Sequence, residues 1–269
     1  MIRNHVTGHW SPEHTDKGHF YKHRDTGTKV ISVTGILTLL SKPHLIPWSC
    51  KVALEYFIAH LLDWNEWSEP ENREAIFKSA QFAHTGVRDD AGNVGTLAHD
   101  KIEEYLKDWI THGTPISTIR TIVPPDSDPR VFAAVRSAER IMQERNLIPI
   151  ASEILVGSTK VRSAGTLDAL VMDSDGKLIL ADWKTSNQVD PIGYTLQVAA
   201  YAKFFEEMTS LKIHKVQIFH LSKDYAKCDV WDVPRPARAY QMFKHLVKIH
   251  EWMNDPKSKA YKKVNKIII

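Results

Sequence analysis

The chain has 269 residues, 43% of them hydrophobic and 25% charged, which is the composition of a globular protein with one large domain or two small ones. It contains no apolar run long enough to span a membrane, and its first ten residues lack the apolar core of a signal peptide. We therefore expect a cytoplasmic protein without a membrane partner. The net charge of +3 is too small to indicate nucleic-acid binding by itself.

The cysteines and the clustered lysines limit which metal sites and which basic surfaces the chain can contain. Cys50 and Cys228 are too few for a four-cysteine zinc or iron–sulfur site, and we expect no disulfide in a reducing compartment. A basic surface would have to be local, and the C-terminal tail offers one candidate, although a solvated tail explains the same lysines equally well. The tail lysines are Lys257, Lys259, Lys262, Lys263 and Lys266.

The first half of the chain predicts a β-hairpin followed by helices. Ser49 is a plausible N-cap, the segment 89–93 is expected to break the helical pattern, and residues 112–129 have the composition of a loop. In chain order, the predicted elements are strands over 20–23 and 29–33, and helices over 34–40, 49–62, 71–84, 94–110 and 131–146.

The second half predicts an α/β pattern, β-β-β-α-β-β-α. We expect residues 1–147 to pack as a hairpin and helical portion over a core formed by residues 148–269, within one compact α/β (α+β) domain built on a mixed sheet. In chain order, the predicted elements are strands over 153–156, 161–172 and 178–183, a helix over 192–208, strands over 216–221 and 227–233, and a helix over 237–253.

Two carboxylates and a lysine lie on two neighbouring predicted strands. The turn at 173–176 folds Asp168 back beside Asp182, and strand alternation places Asp182 and Lys184 on one face with Trp183 facing the core. Such groups are costly to bury unless they are paired or bind a cation. Carboxylates that hold Mg²⁺ and a lysine that steers the attacking water are the set that phosphodiester hydrolysis needs. Turn capping and a plain Lys184–Asp182 salt bridge are the structural alternatives.

Several short motifs, taken in order, resemble the PD-(D/E)XK nuclease superfamily. More narrowly, the chain resembles the branch of RecB-type exonucleases, Cas4-like proteins, the mitochondrial genome maintenance exonuclease and their phage relatives, over roughly residues 20–221. The four-cysteine signature of Cas4 is absent, so the resemblance is to the members without an iron–sulfur cluster. The matching motifs are Gly95-Thr-Leu-Ala-His99, Gly165-Thr-Leu-Asp168, Asp182-Trp-Lys184 and Gln197-x-x-x-Tyr201.

The resemblance implies a restriction-endonuclease-like fold and a divalent-metal centre. Asp168 and Asp182 would bind Mg²⁺ or Mn²⁺, and Lys184 would orient water or stabilise charge on the scissile phosphate. His99 would be a further ligand and would favour Mn²⁺. Glu153 would bind the metal directly or through water, with a surface position at the strand edge as an equal alternative.

Residues around this centre would contact the substrate, again by resemblance. Gln197 would hold Lys184 or a DNA phosphate, and Tyr201 would contact DNA or close the pocket, although Tyr201 fits the core almost as well. Thr185 and Ser186 follow the lysine, where short polar side chains bind phosphate or simply form a capped loop.

The resemblance thus predicts a metal-dependent deoxyribonuclease, an exonuclease acting on single-stranded DNA or DNA ends, in repair, recombination or phage genome processing. An enzyme of the phage type would act in the host cytoplasm. A structure-specific or restriction-like endonuclease and a catalytically silent nucleic-acid-binding protein are the alternatives. Protein partners, polarity and oligomeric state are not encoded in any residue pattern.

Overall fold

The computed structural model describes residues 9–15, 18–61, 69–224 and 227–258. Of the tail lysines, Lys257 lies within these ranges, and the other four lie outside the described residues. Among the helices in these ranges, none has the length and apolar character needed to cross a bilayer.

The described ranges form strands and helices in the predicted general order. The strands are β1 (Trp10–Thr15), β2 (Gly18–His23), β3 (Lys29–Ser32), β4 (Ile148–Ser158), β5 (Ser163–Met172), β6 (Leu178–Lys184), β7 (Lys215–Leu221) and β8 (Cys228–Asp232). The helices are α1 (Val33–Leu37), α2 (Leu45–Leu61), α3 (Pro70–His112), α4 (Ile119–Ile122), α5 (Pro129–Glu144), α6 (Pro191–Thr209) and α7 (Pro236–Asn254).

All eight strands belong to one mixed sheet, which confirms the predicted α/β class. The order is β1-β2-β3-β5-β6-β7-β8, and β4 pairs along β5. Because β4 occupies one edge of β5, β3 and β6 share the other edge: β3 pairs with residues 163–164 and β6 with residues 169–172. Residues 165–168 of β5 therefore lie between the facing ends of two strands, which opens a gap in the sheet.

Helices cover both faces of this sheet. On one face, α1, α6 and α7 bury a cluster that includes Leu170, Leu180 and Phe204. On the other face, α3, α4 and α5 bury a cluster that includes Trp183 and Phe219. Side chains alternate along β6, so the strand contributes to both layers, and the predicted core position of Trp183 matches its exposed fraction of 2%.

The N-terminal hairpin extends the sheet instead of packing over it, which corrects the role expected for this part of residues 1–147. Residues 31–32 of β3 pair in parallel with residues 163–164 of β5. The additional strand β1 pairs with β2 and buries Trp10 against Gly157 and Ala164. This long-range parallel pairing has no local sequence signal, which is why the sequence did not reveal it.

The helical part of the first half differs from the prediction at three places, one of which is the short helix α4 within the loop expected at 112–129. Residues 70–112 form one continuous helix, so the break expected at 89–93 is wrong. Helix α2 begins at Leu45, so Ser49 is not an N-cap; its hydroxyl donates instead to the carbonyl of Ile46. Polar residues and Gly92 suggested a break, but exposed Asp and Asn cost little in a helix held by packing elsewhere.

Replacing Gly92 by Ala tests the continuity of α3. A Cβ at Gly92 would meet no atom within 4 Å, so the change should raise the free energy of unfolding by about 1 kcal/mol, the difference in helix propensity. Chemical denaturation measures the change.

The matched control is Gly27→Ala. Its added Cβ also meets nothing, but its backbone has a φ of +67°, where a side chain is strained, so the variant should be destabilised. A loss of stability at Gly92 like that at Gly27 would mean that α3 is interrupted there.

Candidate active site

The sheet brings Asp168 and Asp182 together at the gap in its middle. Ala169 on β5 pairs with Ala181 on β6 in an antiparallel register. Asp168 and Asp182 therefore occupy the next pair of opposed positions on the two strands. The amide of Trp183 donates to Oδ2 of Asp168 over 2.8 Å. The carboxylate of Asp168 is thereby fixed against the backbone beside Asp182.

Asp182 is fully buried, with an exposed fraction of 0%. Among the described residues neither of its oxygens accepts a well-directed hydrogen bond, although Nζ of Lys184 lies 2.6 Å from Oδ2. Burial raises the pKa of the Asp182 carboxyl, and the Lys184 ammonium opposes that shift. A buried carboxylate with so few partners is costly for the fold, as expected where a ligand completes the site.

Lys184 is held by contacts on two sides. Burial opposes its charge, but Asp182 and Asp168 outweigh that effect and raise the pKa of the ammonium. Its Nζ also lies 5.0 Å from the ring centre of Tyr194 on α6. The hydroxyl of Tyr194 donates to Oγ of Ser186, so the aromatic ring is itself anchored. The Lys184 ammonium is therefore held in place near the carboxylates of Asp182 and Asp168.

His99 reaches the same point from α3. Its Nδ1 lies 3.6 Å from Oδ2 of Asp168. One turn earlier, a Cβ on Gly95 would come within 3.0 Å of Oγ1 of Thr185, so the glycine permits α3 to approach the end of β6. The Gly-x-x-x-His spacing thus has a steric reason: the close approach at Gly95 carries His99 to Asp168.

Glu153 lies opposite Asp168 on β4. Its neighbours pair regularly, Ser152 with Ala169 and Ile154 with Leu167, whereas Glu153 itself has a φ of 48° and leaves the ladder. A positive φ is uncommon for a non-glycine residue and marks local strain. Desolvation of the carboxyl and the charge of Asp168 raise the pKa of Glu153 to about 8, although the residue as a whole is exposed.

Gln197 and Tyr201 lie one turn apart on α6 and contact each other, Nε2 of Gln197 donating to Oη of Tyr201 over 3.3 Å. Tyr201 is 3% exposed, and its ring covers Gly165, where a Cβ would come within 2.5 Å of Cε1. Burial raises the pKa of Tyr201 well above its usual value. The structure therefore favours the core interpretation of Tyr201, as a floor beneath the site, over direct contact with DNA.

Thr185 and Ser186 are engaged within the protein. Thr185 is buried against Gly95. The hydroxyl of Ser186 donates to the carbonyl of Gln188. The backbone carbonyl of Ser186 lies 2.6 Å from Nε2 of His220. These contacts fit the loop interpretation better than a free phosphate-binding segment, and the helix cap that follows belongs to Asp190.

The types of donor present fit a divalent cation, although among the described residues no three of Asp168, Asp182, His99 and Glu153 have ligand atoms within 4.8 Å of one another. The orphaned carboxylate of Asp182 and the adjacent carboxylate of Asp168 supply the oxygen ligands that Mg²⁺ and Mn²⁺ prefer, and His99 adds a nitrogen that Mn²⁺ accepts more readily. Glu153 stands on the other side of Asp168. A cation there would offset the repulsion among the acidic groups.

Three residues at this site escaped the sequence prediction. Glu103 lies one helical turn after His99, and its charge acts on Glu153, so the i, i+4 spacing was an available signal. Tyr194 supports Lys184, and the hydroxyl of Tyr21 on β2 lies 3.1 Å from Oγ1 of Thr166 on β5. Neither tyrosine carries a local signal, because both contacts depend on how distant elements pack.

Of three comparisons with known proteins, one identifies a family. A family model described as the PD-(D/E)XK nuclease superfamily matches residues 83–260, which include Asp168, Asp182 and Lys184. A comparison with curated proteins gave no significant match. Among solved structures, the crystal structure of SSO0001 is 14% identical with a TM-score of 0.32, covering 61% of this chain and 74% of that chain. So distant a structural likeness carries no argument about activity.

The raised pKa of Glu153 predicts a pH-dependent effect of Glu153→Gln on the metal-free protein. The carboxyl has an ordinary pKa of 4.5 when unfolded and about 8 when folded, so folding favours the protonated form. Stability should therefore fall as pH rises between these values, and the glutamine variant should avoid that fall.

Thermal unfolding in a chelator, at about pH 5 and about pH 9, measures the difference. We expect Glu153→Gln to melt above wild type at the higher pH and to match it at the lower pH. Glu74→Gln, on an exposed part of α3, is the control. An equal difference in melting temperature at both pH values would show that the folded structure does not raise the pKa of Glu153.

Proposed function

The chain belongs to the PD-(D/E)XK nuclease superfamily, and we propose that within it the chain is an exonuclease that degrades DNA from single-stranded ends. Membership makes the chain a metal-dependent nuclease with a nucleic-acid substrate. The choice of DNA, of strand ends and of the RecB/Cas4-like branch is the proposal, and it derives from the motif order and from the shape of the helical part.

The observation that carries the proposal is the pairing of a buried, under-satisfied Asp182 with Asp168 and Lys184 at the gap in the sheet. A structural ion pair would gain nothing from a second carboxylate beside it, because like charges repel and burial costs more. A site that binds a divalent cation uses both.

Each residue has a distinct proposed role. Asp168 and Asp182 hold the ion, with His99 completing the ligand set and Glu153 binding directly or through water. A bound divalent ion supplies charge neutralisation at the phosphate and a lowered pKa of water. Lys184 faces the same space, where it orients the attacking water and stabilises charge on the phosphate.

Helices α2 and α3 offer a path for the strand. His99 lies in the C-terminal half of α3, at the site. The N-terminal half of α3 packs against α2, where the rings of Phe57 and Phe77 stack. Phe77 and Phe82 keep more than half of their surface exposed. Exposed aromatic side chains stack on bases without regard to sequence, which suits an exonuclease on single strands.

Asp182→Asn tests the chemistry. The substitution keeps the shape of the side chain but removes the charge that the ion needs, so degradation of end-labelled single-stranded DNA in Mg²⁺ or Mn²⁺ should fall by at least about a hundredfold. Asp175→Asn, in the exposed turn between β5 and β6, is the matched control and should retain wild-type activity. Equal degradation by wild type and Asp182→Asn would remove the proposal.

Circular single-stranded DNA distinguishes the modes of cleavage. An exonuclease needs an end, so wild type should degrade linear strands and leave circles intact. Cleavage of circles at the linear rate would identify an endonuclease. An inactive wild type whose Mn²⁺ binding by calorimetry equals that of Asp182→Asn would identify a silent binding protein.

A further inference from the structure

Three potential metal ligands meet at the open end of the N-terminal hairpin, away from the strands β5 and β6 that carry Asp168 and Asp182. His9 precedes β1, His23 ends β2, and Asp25 lies in the turn to β3. One ligand atom from each lies within 4.8 Å of the others. Nδ1 of His9 is 3.0 Å from Oδ2 of Asp25, and the His9 and His23 rings stack with their centres 5.8 Å apart.

The backbone on both sides of the cluster is held in place. The amide of Arg24 donates to the carbonyl of His9 over 2.8 Å, so the segment before β1 is tied to the end of β2. The turn itself is closed by the amide of Gly27, which donates to the carbonyl of His23. Trp10 is 2% exposed, and its ring contacts that of His23 edge-on. The ligands therefore start from a fixed framework.

The donor set indicates which ions would bind. Two imidazoles and one carboxylate are typical of Zn²⁺ and other late first-row transition metals, whereas Mg²⁺ prefers oxygen ligands. Three protein ligands at the surface leave room for water to complete a tetrahedral shell. Nδ1 of His23 accepts from the amide of Thr26 over 3.4 Å and lies 3.2 Å from its Oγ1, so a metal bound through His23 has to replace these contacts or shift the ring proton from Nε2 to Nδ1.

We propose that His9, His23 and Asp25 form a second metal site, which binds Zn²⁺ or a similar transition-metal ion and cross-links the segment before β1 to the β2–β3 turn. Without an ion, the His9–Asp25 contact is an exposed pair that adds little to stability. With an ion, the hairpin is closed at its open end. The same hairpin carries Tyr21, which contacts Thr166 near the candidate active site.

The hairpin supplies its own matched control. His14 and His19 face each other across β1 and β2 with ring centres 4.6 Å apart. Within the described part of the chain, neither belongs to a group of three donors at ligand spacing. Removing this pair deletes as many histidines from the N-terminal hairpin region as removing His9 and His23.

The experiment is calorimetric titration of the full chain with ZnCl₂ in a background of Asp168→Asn and Asp182→Asn, which removes binding at the catalytic carboxylates. We expect one bound zinc equivalent to be lost in His9→Ala/His23→Ala and kept in His14→Ala/His19→Ala. Asp25→Asn, a milder change in an exposed turn, should weaken the same binding event. Equal zinc binding by both double variants, or equal loss in both, would overturn the site.

Hydrogen exchange gives a second readout that unrelated histidines cannot mimic. Zinc should slow amide exchange in residues 10–15 and 18–23 of the parent chain and leave it unchanged in His9→Ala/His23→Ala. Unchanged exchange in the parent chain would contradict the cross-link. Neither measurement uses nuclease activity, so the outcome is independent of the proposed function.

Discussion

The carboxylate of Asp182 imposes the constraint on which the rest of the structure depends. It is removed from water at the end of an apolar strand, where an uncompensated charge would be strongly unfavourable. Lys184 compensates part of that cost, and Asp168 adds to it. We propose that this concentration of like charge becomes favourable once a divalent cation is bound, so that the metal-free chain is less stable than the metal-bound chain.

The topology of β5 provides the space for this arrangement. Because β3 and β6 meet the same edge of β5 from opposite ends, the strand is left open between them, and Asp168 lies in that interval. Helix α3 approaches through Gly95 and delivers His99, while α6 seals the opposite side with Tyr201 over Gly165. The two glycines of the sequence motifs are thus places of close approach, by the Tyr201 ring at Gly165 and by the Thr185 hydroxyl at Gly95.

The sequence predicts those features of the fold and the site that depend on residues close together along the chain. Apolar runs joined by a turn were enough to place Asp168 beside Asp182 and to send Trp183 into the core. The continuity of α3 was not predictable, since the polar segment around Gly92 resembles a break when the packing of the rest of the helix is unknown. The pairing of β3 with β5, the support of Lys184 by Tyr194 and the strained backbone of Glu153 arise from contacts between distant segments. Assignment of chemical roles to the individual side chains stays a prediction.

Anomalous diffraction from a crystal soaked in Mn²⁺ would show whether Asp168 and Asp182 bind one divalent ion. We expect a peak between the two residues, at a coordination distance of about 2.1 Å from an oxygen of each. A well-occupied peak that touches neither carboxylate, or a soaked crystal in which Lys184 alone neutralises Asp182, would contradict this expectation.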